Sequence, residues 1–225
     1  MPKIFISIYP KKVKYAEANV IEPEYIGLSE RCPLCKNAIS ASTVKHPVRV
    51  QITSKKTPDC LYAYGLNVPF LLSARCINVM EKSAISGLVG VEPVDQIIYR
   101  QEQIQGCYYI PKIKRINLPI DKENSNIVYG DIDTNSACPL CNPVGKTVDF
   151  VFGLHFDLTK YDGTDIFKIF EFGDTVFFSE KFVSLIKNEA LSNFIYEDTR
   201  YYDSNLKNIY SSAELIEMFG TDKLI

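Results

Sequence analysis

Apolar and polar residues alternate in short runs along most of the chain, which is the pattern of half-buried β-strands. Val48, Val50 and Ile52 alternate with polar residues, and the same alternation runs from Val148 to Leu158. Further short apolar runs occur at 3–9, 60–64, 69–72, 88–91, 108–116, 165–172 and 194–196. Because most of these runs are bounded by Gly, Pro, Asn or Asp, they predict a fold built mainly from short antiparallel strands.

Two segments change to helical spacing directly after a serine. Cys76, Ile77, Met80 and Ala84 lie on one predicted helix face after Ser73, and Phe182, Val183, Leu185 and Ile186 do so after Ser179. Serine is a preferred N-cap because its hydroxyl accepts a hydrogen bond from a free N–H of the first turn. A third helix is predicted over 212–219, with a capping box at Ser211 and Glu214. The expected fold class is therefore α+β, with about three short helices.

The chain uses one tetrapeptide twice, and the two copies define an internal register. Cys-Pro-Leu-Cys occurs at Cys32–Cys35 and again at Cys138–Cys141, which is an offset of 106 residues. The same offset carries Ser73 to Ser179 and Asp59 to Asp165 without a gap. We predict one domain spanning 1–225 that is built from two duplicated halves, about 1–106 and 107–225.

The repeated Cys-x-x-Cys turns are the strongest candidate for chemistry. Two thiolates three positions apart can occupy two corners of a tetrahedral metal ion, so Cys32, Cys35, Cys138 and Cys141 predict one structural Zn²⁺ site per chain. This site resembles a zinc ribbon whose two halves are split by about a hundred residues. Two other interpretations stay open, namely a redox dithiol in either turn and plain buried cysteines. Cys60, Cys76 and Cys107 are expected to be core residues.

Knuckle geometry sets a further expectation for the residue after each second cysteine. That residue often adopts positive φ, which Asn tolerates better than Lys. Asn142 is therefore expected to fit this position more easily than Lys36.

Composition and motifs argue against several functional classes. The sequence contains no nucleophile elbow, no phosphate-binding glycine loop and no HExxH motif, so we predict a protein without enzymatic activity or small-molecule substrate. A net charge of −2 argues against a dedicated nucleic-acid binder, because such proteins usually carry a basic surplus. An odd number of cysteines and an N-terminal apolar run too short for a signal sequence predict a cytoplasmic location without membrane association.

The two knuckles and the serine-capped helices together resemble a known family. Phe70–Arg75 and Val176–Lys181 each end a strand and open a helix, and each follows a CxxC turn and an aspartate at long range. This arrangement resembles the double-CXXCG family of bacterial immunity proteins, although Lys36 and Asn142 replace the glycines of that motif. The resemblance implies an antidote that binds and neutralises a cognate protein toxin, with Cys32, Cys35, Cys138 and Cys141 as metal ligands.

Charge is distributed unevenly between the two parts of the chain. Residues 1–110 carry 13 basic and 9 acidic side chains (+4), whereas residues 111–225 carry 12 and 18 (−6). An acidic surface in the second part suits a basic partner, and an ordinary solvated surface is the alternative interpretation. The candidate partner-binding residues are Glu171, Asp174, Glu180, Glu197, Asp198 and Asp203.

Two alternative functions make distinct predictions. A zinc-ribbon module of a nucleic-acid or transcription complex requires a basic cluster beside the knuckles, where the sequence offers Arg31, Lys36, Lys45 and Lys146. A CxxC thiol oxidoreductase requires one thiol of lowered pKa and no bound metal.

Overall fold

The protein is described by a computed structural model that covers residues 2–9, 14–27, 30–133 and 137–204, together with Glu214 and Glu217. The third predicted helix, 212–219, lies outside the described residues except for those two glutamates. Two α-helices are present in the described part, α1 (Ala74–Lys82) and α2 (Glu180–Asn188). The strands are β1 (Ile4–Ser7), β2 (Ala18–Val20), β3 (Arg49–Ile52), β4 (Cys60–Tyr64), β5 (Phe70–Ser73), β6 (Leu88–Pro93), β7 (Gln96–Tyr99), β8 (Glu102–Ile104), β9 (Tyr108–Ile113), β10 (Arg115–Ile116), β11 (Asn126–Asp133), β12 (Lys146–Phe152), β13 (Ile166–Ile169), β14 (Val176–Ser179) and β15 (Tyr196–Asp198).

These strands form two main sheets and a two-stranded ribbon. The larger sheet has the order β6-β9-β5-β4-β2-β3-β7-β8, the smaller has the order β10-β13-β14-β1-β15, and β11 pairs with β12. Among the described strands the pairings are antiparallel, except that β2 with β4, β3 with β7 and β10 with β13 are parallel. The fold is therefore α+β and mostly antiparallel β, as the alternating pattern predicts.

The apolar periodicity decides where each helix packs. Ser73 and Ser179 cap α1 and α2 by accepting hydrogen bonds from the N–H groups of Cys76 and Phe182. The predicted inward residues Cys76, Ile77, Met80, Phe182, Val183 and Ile186 are buried. Both helices pack on one hydrophobic core that combines residues of the two halves. Burying a large apolar side chain stabilises the fold by roughly 1.5–3 kcal/mol, so this shared core joins the halves.

Two predicted strands are shorter in the structure than in the sequence pattern. The alternation from Val148 to Leu158 predicts one long strand, but β12 ends at Phe152 and a 3₁₀ turn occupies Leu158–Lys160. Asp165–Phe172 likewise contains β13 and then a 3₁₀ turn at Phe170–Phe172. Gly153 has φ +70°, a conformation that favours glycine and ends the extended run.

The two sheets share a common five-strand order in which the halves exchange strands. The series β6-β9-β5-β4-β2 corresponds to β15-β1-β14-β13-β10, with parallel and antiparallel pairings in the same places. In sequence, β1 opens the first half, but it lies between β14 and β15 of the second half. Similarly, β9 opens the second half but lies between β5 and β6 of the first. Each half therefore completes its sheet with a strand from the other.

Asp165 and Ser86 connect the halves beside this exchange. The Asp165 carboxylate accepts hydrogen bonds from the backbone N–H and the hydroxyl of Ser86, both at 2.9 Å. It also accepts from the Ser179 hydroxyl at 2.9 Å and from Lys181 Nζ at 3.0 Å. Burial opposes ionisation of Asp165, but these donors hold its pKa below the ordinary value.

Asp59 makes the equivalent contacts, but it lies in the first half of the chain and reaches a serine of the second half. Its carboxylate accepts from the N–H and hydroxyl of Ser192, which lies 106 residues after Ser86. It also accepts from Ser73 Oγ at 2.9 Å and from Arg75 Nη1 at 2.8 Å. Asp59 and Asp165 are thus equivalent in structure as well as in sequence offset. That the halves arose by duplication stays a prediction.

We expect these two carboxylates to make the protein sensitive to acid. Their folded-state pKa values are lowered, so their contribution to stability is present above the unfolded pKa of about 3.9 and is lost as the pH falls through the folded pKa. Asp165→Asn should lower the free energy of unfolding by about 2 kcal/mol at pH 7, because the N–H of Ser86 loses a charged acceptor. The loss should be smaller near pH 3, below the unfolded pKa, because the unfolded wild-type chain then binds a proton at Asp165 and part of the stabilising contribution of the carboxylate is already lost.

Urea unfolding at the two pH values measures this effect. Asp59→Asn is expected to behave like Asp165→Asn, and Glu81→Gln serves as an exposed control on α1. An Asp165→Asn variant with wild-type stability at pH 7 would contradict the assigned role of the network.

Candidate metal centre

The first knuckle is a compact turn between Glu30 and Ile39. The Cys32 N–H donates to Asn37 O at 2.9 Å, and the Lys36 N–H donates to Cys32 O at 3.0 Å. Lys36 adopts φ +65°, so lysine occupies the position expected to favour asparagine or glycine. Its ammonium donates to Pro33 O at 2.7 Å, within the same turn.

The second knuckle closes in a similar way but turns at a different residue. The Cys138 N–H donates to Asn142 O at 2.9 Å, and the Asn142 N–H donates to Cys138 O at 3.0 Å. Asn142 is not among the residues with positive φ, and Gly145 adopts φ +74° instead. The expectation that Asn142 takes the left-handed conformation more readily than Lys36 is therefore wrong. In the second turn the positive φ falls three residues later, at Gly145, where a glycine is available.

The fold brings the four knuckle cysteines together. Their sulfur atoms all lie within 4.8 Å of one another. Cys32 Sγ is 3.8 Å from Cys138 Sγ, and Cys35 Sγ is 3.5 Å from Cys141 Sγ. Four sulfurs bound at about 2.3 Å around a tetrahedral ion are about 3.8 Å apart, so the cluster can hold a metal ion. All four are free thiols, and both short distances far exceed the S–S bond of about 2.05 Å.

Hydrogen bonds and burial set the protonation of the cluster. The N–H groups of Cys141 and Leu140 stabilise the Cys138 thiolate and lower its pKa to about 6. Burial opposes ionisation of Cys32, but N–H groups of its own turn lower its pKa as well. Burial and the neighbouring thiols raise the pKa of Cys141. Such backbone donors favour the thiolate form that metal binding requires.

An apolar shell surrounds the cluster. Cys32 and Cys138 are buried, whereas Cys35 and Cys141 are half-buried. Ile39, Leu140 and Phe170 pack against the sulfurs. This shell limits water access to the cluster.

Arg115 attaches the first knuckle to the rest of the fold. Its side chain is 2% exposed, and its Nε and Nη2 donate to Glu30 at 3.0 and 2.9 Å. Nη1 donates to Ile169 O and Gly173 O, both at 2.6 Å, while Nη2 also reaches Ile39 O at 3.3 Å. Glu30 and Ile39 flank the knuckle, so this guanidinium holds both of its ends.

Lys168 and Asp174 extend this network. Lys168 Nζ donates to Asp174 and to Asn67 O, both at 2.8 Å, and burial lowers the Lys168 pKa. The second carboxylate oxygen of Asp174 accepts from the Ala41 N–H at 2.7 Å. Arg115 and Lys168 are register partners on β10 and β13. Neither residue is predicted as functional from the sequence, although a lysine within the apolar run Ile166–Ile169 is an available signal.

The candidate partner-binding residues fall into two groups. Glu171, Asp174, Glu197 and Asp203 are half-buried and line two adjoining cavities. Glu180 is exposed at the start of α2, and Asp198 pairs with Arg200 at 2.5 Å. Neither of these last two residues lines the cavities, so the structure brings four of the six together.

The remaining cysteines follow the prediction in two cases of three. Cys60 and Cys76 are buried in the core, where burial raises the pKa of both thiols. Cys107 is exposed, and the prediction that it is a core residue is wrong. It lies just before β9 begins, where the chain has not yet entered the sheet.

Comparison with known proteins adds no family assignment. No protein-family model matches this sequence, and no curated protein matches it. Within the described residues, no helix is both long and apolar enough to cross a membrane.

Proposed function

We propose that this chain is a non-enzymatic immunity protein that binds and neutralises a cognate protein toxin, with a structural zinc ion on Cys32, Cys35, Cys138 and Cys141. The convergence of four thiols from both halves of the chain is the observation that carries the metal part of this proposal. The resemblance of the knuckles and serine-capped helices to the double-CXXCG family carries the immunity part.

Zinc is the metal that the ligand set favours. Four cysteine sulfurs in tetrahedral arrangement are typical of structural Zn²⁺ sites, and iron is the other metal commonly found in such a set. Four protein ligands leave no position for water on zinc, so a bound ion would stabilise the fold without activating a substrate. The ion would connect 30–39 of the first half to 138–145 of the second.

The charges around the knuckles favour a protein partner over nucleic acid. Arg31 and Lys36 donate to backbone carbonyl groups within the first knuckle, and Lys45 pairs with Glu24. Donor groups that are already engaged within the knuckle or in an ion pair are less available to phosphate oxygens. The half-buried carboxylates near the second knuckle would repel a phosphate backbone and attract a basic protein.

The lowered pKa of Cys138 is compatible with both a metal thiolate and a thiol oxidoreductase. A redox cysteine must also be accessible to its substrate, and Cys138 is 2% exposed. Burial of this thiolate therefore favours metal binding. Metal content separates the two functions, because a free dithiol is required for exchange.

Protection from a toxin tests the immunity part. The candidate toxin is the C-terminal domain of any protein encoded by a reading frame that adjoins the gene for this chain, expressed from an inducible promoter in a host that lacks this chain. We expect co-expression of this chain to restore growth and the two proteins to co-purify. Cys107→Ser, at an exposed cysteine away from the cluster, should protect equally well. A domain that is not toxic, or a toxic domain that neither binds this chain nor is neutralised by it, would overturn the proposal.

A further inference from the structure

Two adjoining cavities, together called the cleft, lie beside the second knuckle and share part of their walls. The first has a volume of about 810 Å³ and is bordered by Cys141, β12 and the turn at Phe170–Phe172. The second has a volume of about 930 Å³ and is bordered by the end of β1 and by β15. Asp174, Tyr202 and Ser204 line both cavities, so the two adjoin. Each volume by itself lies in the range of small-molecule pockets, and only an extended segment would occupy both.

Tyrosines supply much of the apolar surface of this cleft. Tyr129 and Tyr202 line the first cavity, and Tyr9 and Tyr196 line the second. Tyr9 is 48% exposed although its ring stacks on Tyr64 at 5.7 Å. The Tyr129 hydroxyl is buried and has no hydrogen-bond partner among the described residues. Tyr9 is exposed and the other three tyrosines are half-buried, and tyrosine is enriched at the centres of protein interfaces.

The charged residues of the cleft are nearly all acidic. The carboxylates are Asp149, Glu171, Asp174, Glu197 and Asp203, and Lys146 is the one cationic side chain among the described lining residues. Asp174 is compensated by the buried Lys168. The lining side chains comprise five carboxylates and one ammonium, a formal charge of −4, which Lys168 at Asp174 and Lys122 near Glu171 partly offset.

We propose that this acidic cleft is the docking site for a basic, lysine- or arginine-rich extended segment of the partner protein. Complementary charge would bring the segment to the carboxylates, and its side-chain stems would pack on the tyrosine rings. The inference rests on the proposed function, since it assigns the surface through which neutralisation occurs. The cleft also shares Cys141 and 37–41 with the metal centre, so an ordered knuckle forms part of its wall.

Charge reversal inside and outside the cleft tests the assignment. Asp149→Lys with Glu171→Lys changes two cleft carboxylates, while Glu81→Lys with Glu189→Lys changes two exposed carboxylates elsewhere by the same net charge. The probe is the candidate toxin domain that this chain neutralises in the growth assay, and the measurement is its association rate at about 0.05 and about 0.5 M salt. We expect the cleft variant to lower this rate at least about tenfold at low salt, and the control variant to lower it less than about threefold.

Each outcome distinguishes the cleft from the proposed function. Equal rates for the two variants, together with wild-type binding, would overturn the cleft and leave the immunity function standing. A probe that does not bind the wild-type chain would overturn both. A basic protein of unrelated fold that binds the wild-type chain as tightly as the probe would show unspecific charge attraction and overturn the cleft. Metal content and the urea midpoint of each variant must match wild type, and Asp149→Lys alone replaces the double variant if Glu171→Lys disturbs folding.

Discussion

Replacing Cys138 with serine is expected to remove the metal and unfold most of the protein at room temperature. Structural zinc contributes an apparent binding free energy of about 10–16 kcal/mol in small zinc domains, and the net stability of a typical domain is only about 5–15 kcal/mol. The serine hydroxyl is a far weaker ligand than a thiolate. The variant would also leave three cysteines of a buried cluster without the ion that they share.

Elemental analysis with thiol titration measures the first part of this effect. Wild-type protein purified without chelator should carry one zinc ion per chain, and only the exposed Cys107 of its seven cysteines should react readily with thiol reagents in the folded state. Removal of the ion by a chelator should make the half-buried Cys35 and Cys141 reactive as well. Cys138→Ser should contain little zinc and lose the cooperative thermal transition. Cys107→Ser is the matched control, because that thiol is exposed and is not one of the four knuckle cysteines. A Cys138→Ser variant with full metal content and wild-type stability would contradict the four-cysteine site.

Neither sequence half is expected to fold alone. A chain of residues 1–106 lacks β9, which separates β5 from β6 in the larger sheet. A chain of residues 107–225 lacks β1, which separates β14 from β15 in the smaller sheet. Each fragment would expose unpaired strand edges and half of the shared core. One fragment alone has no strand or apolar surface with which to cover them.

Circular dichroism of the separate and mixed fragments checks this expectation. Each fragment alone should lack a cooperative unfolding transition, and an equimolar mixture with zinc should regain one. Residues 14–114 provide the comparison, because this fragment retains every strand of the larger sheet. It should keep more β structure than 1–106 despite being similar in length. Cooperative, independent folding of either 1–106 or 107–225 would show that the exchanged strands are dispensable.

The sequence alone determined the local elements of this protein. Whether a segment is a strand or a helix depends on neighbours within about four positions, and the alternation at Val48–Ile52 and the caps at Ser73 and Ser179 contain that information. The four knuckle cysteines were also predictable, because a CxxC turn is a local ligand pair. The 106-residue offset identified Asp59 and Asp165 as equivalent positions.

Only the tertiary structure decided how these elements meet. No local pattern shows that β1 and β9 change places, because strand partners are chosen by packing across the whole core. In the sequence, Arg115 and Lys168 are two cationic residues with no evident connection. Only the fold places them side by side beneath the first knuckle. The acidic cleft likewise exists only because residues near 149, 171, 197 and 203 converge in space. Long-range contacts of this kind depend on the chain topology and on which side chains are buried together. Neither can be inferred from the local sequence pattern.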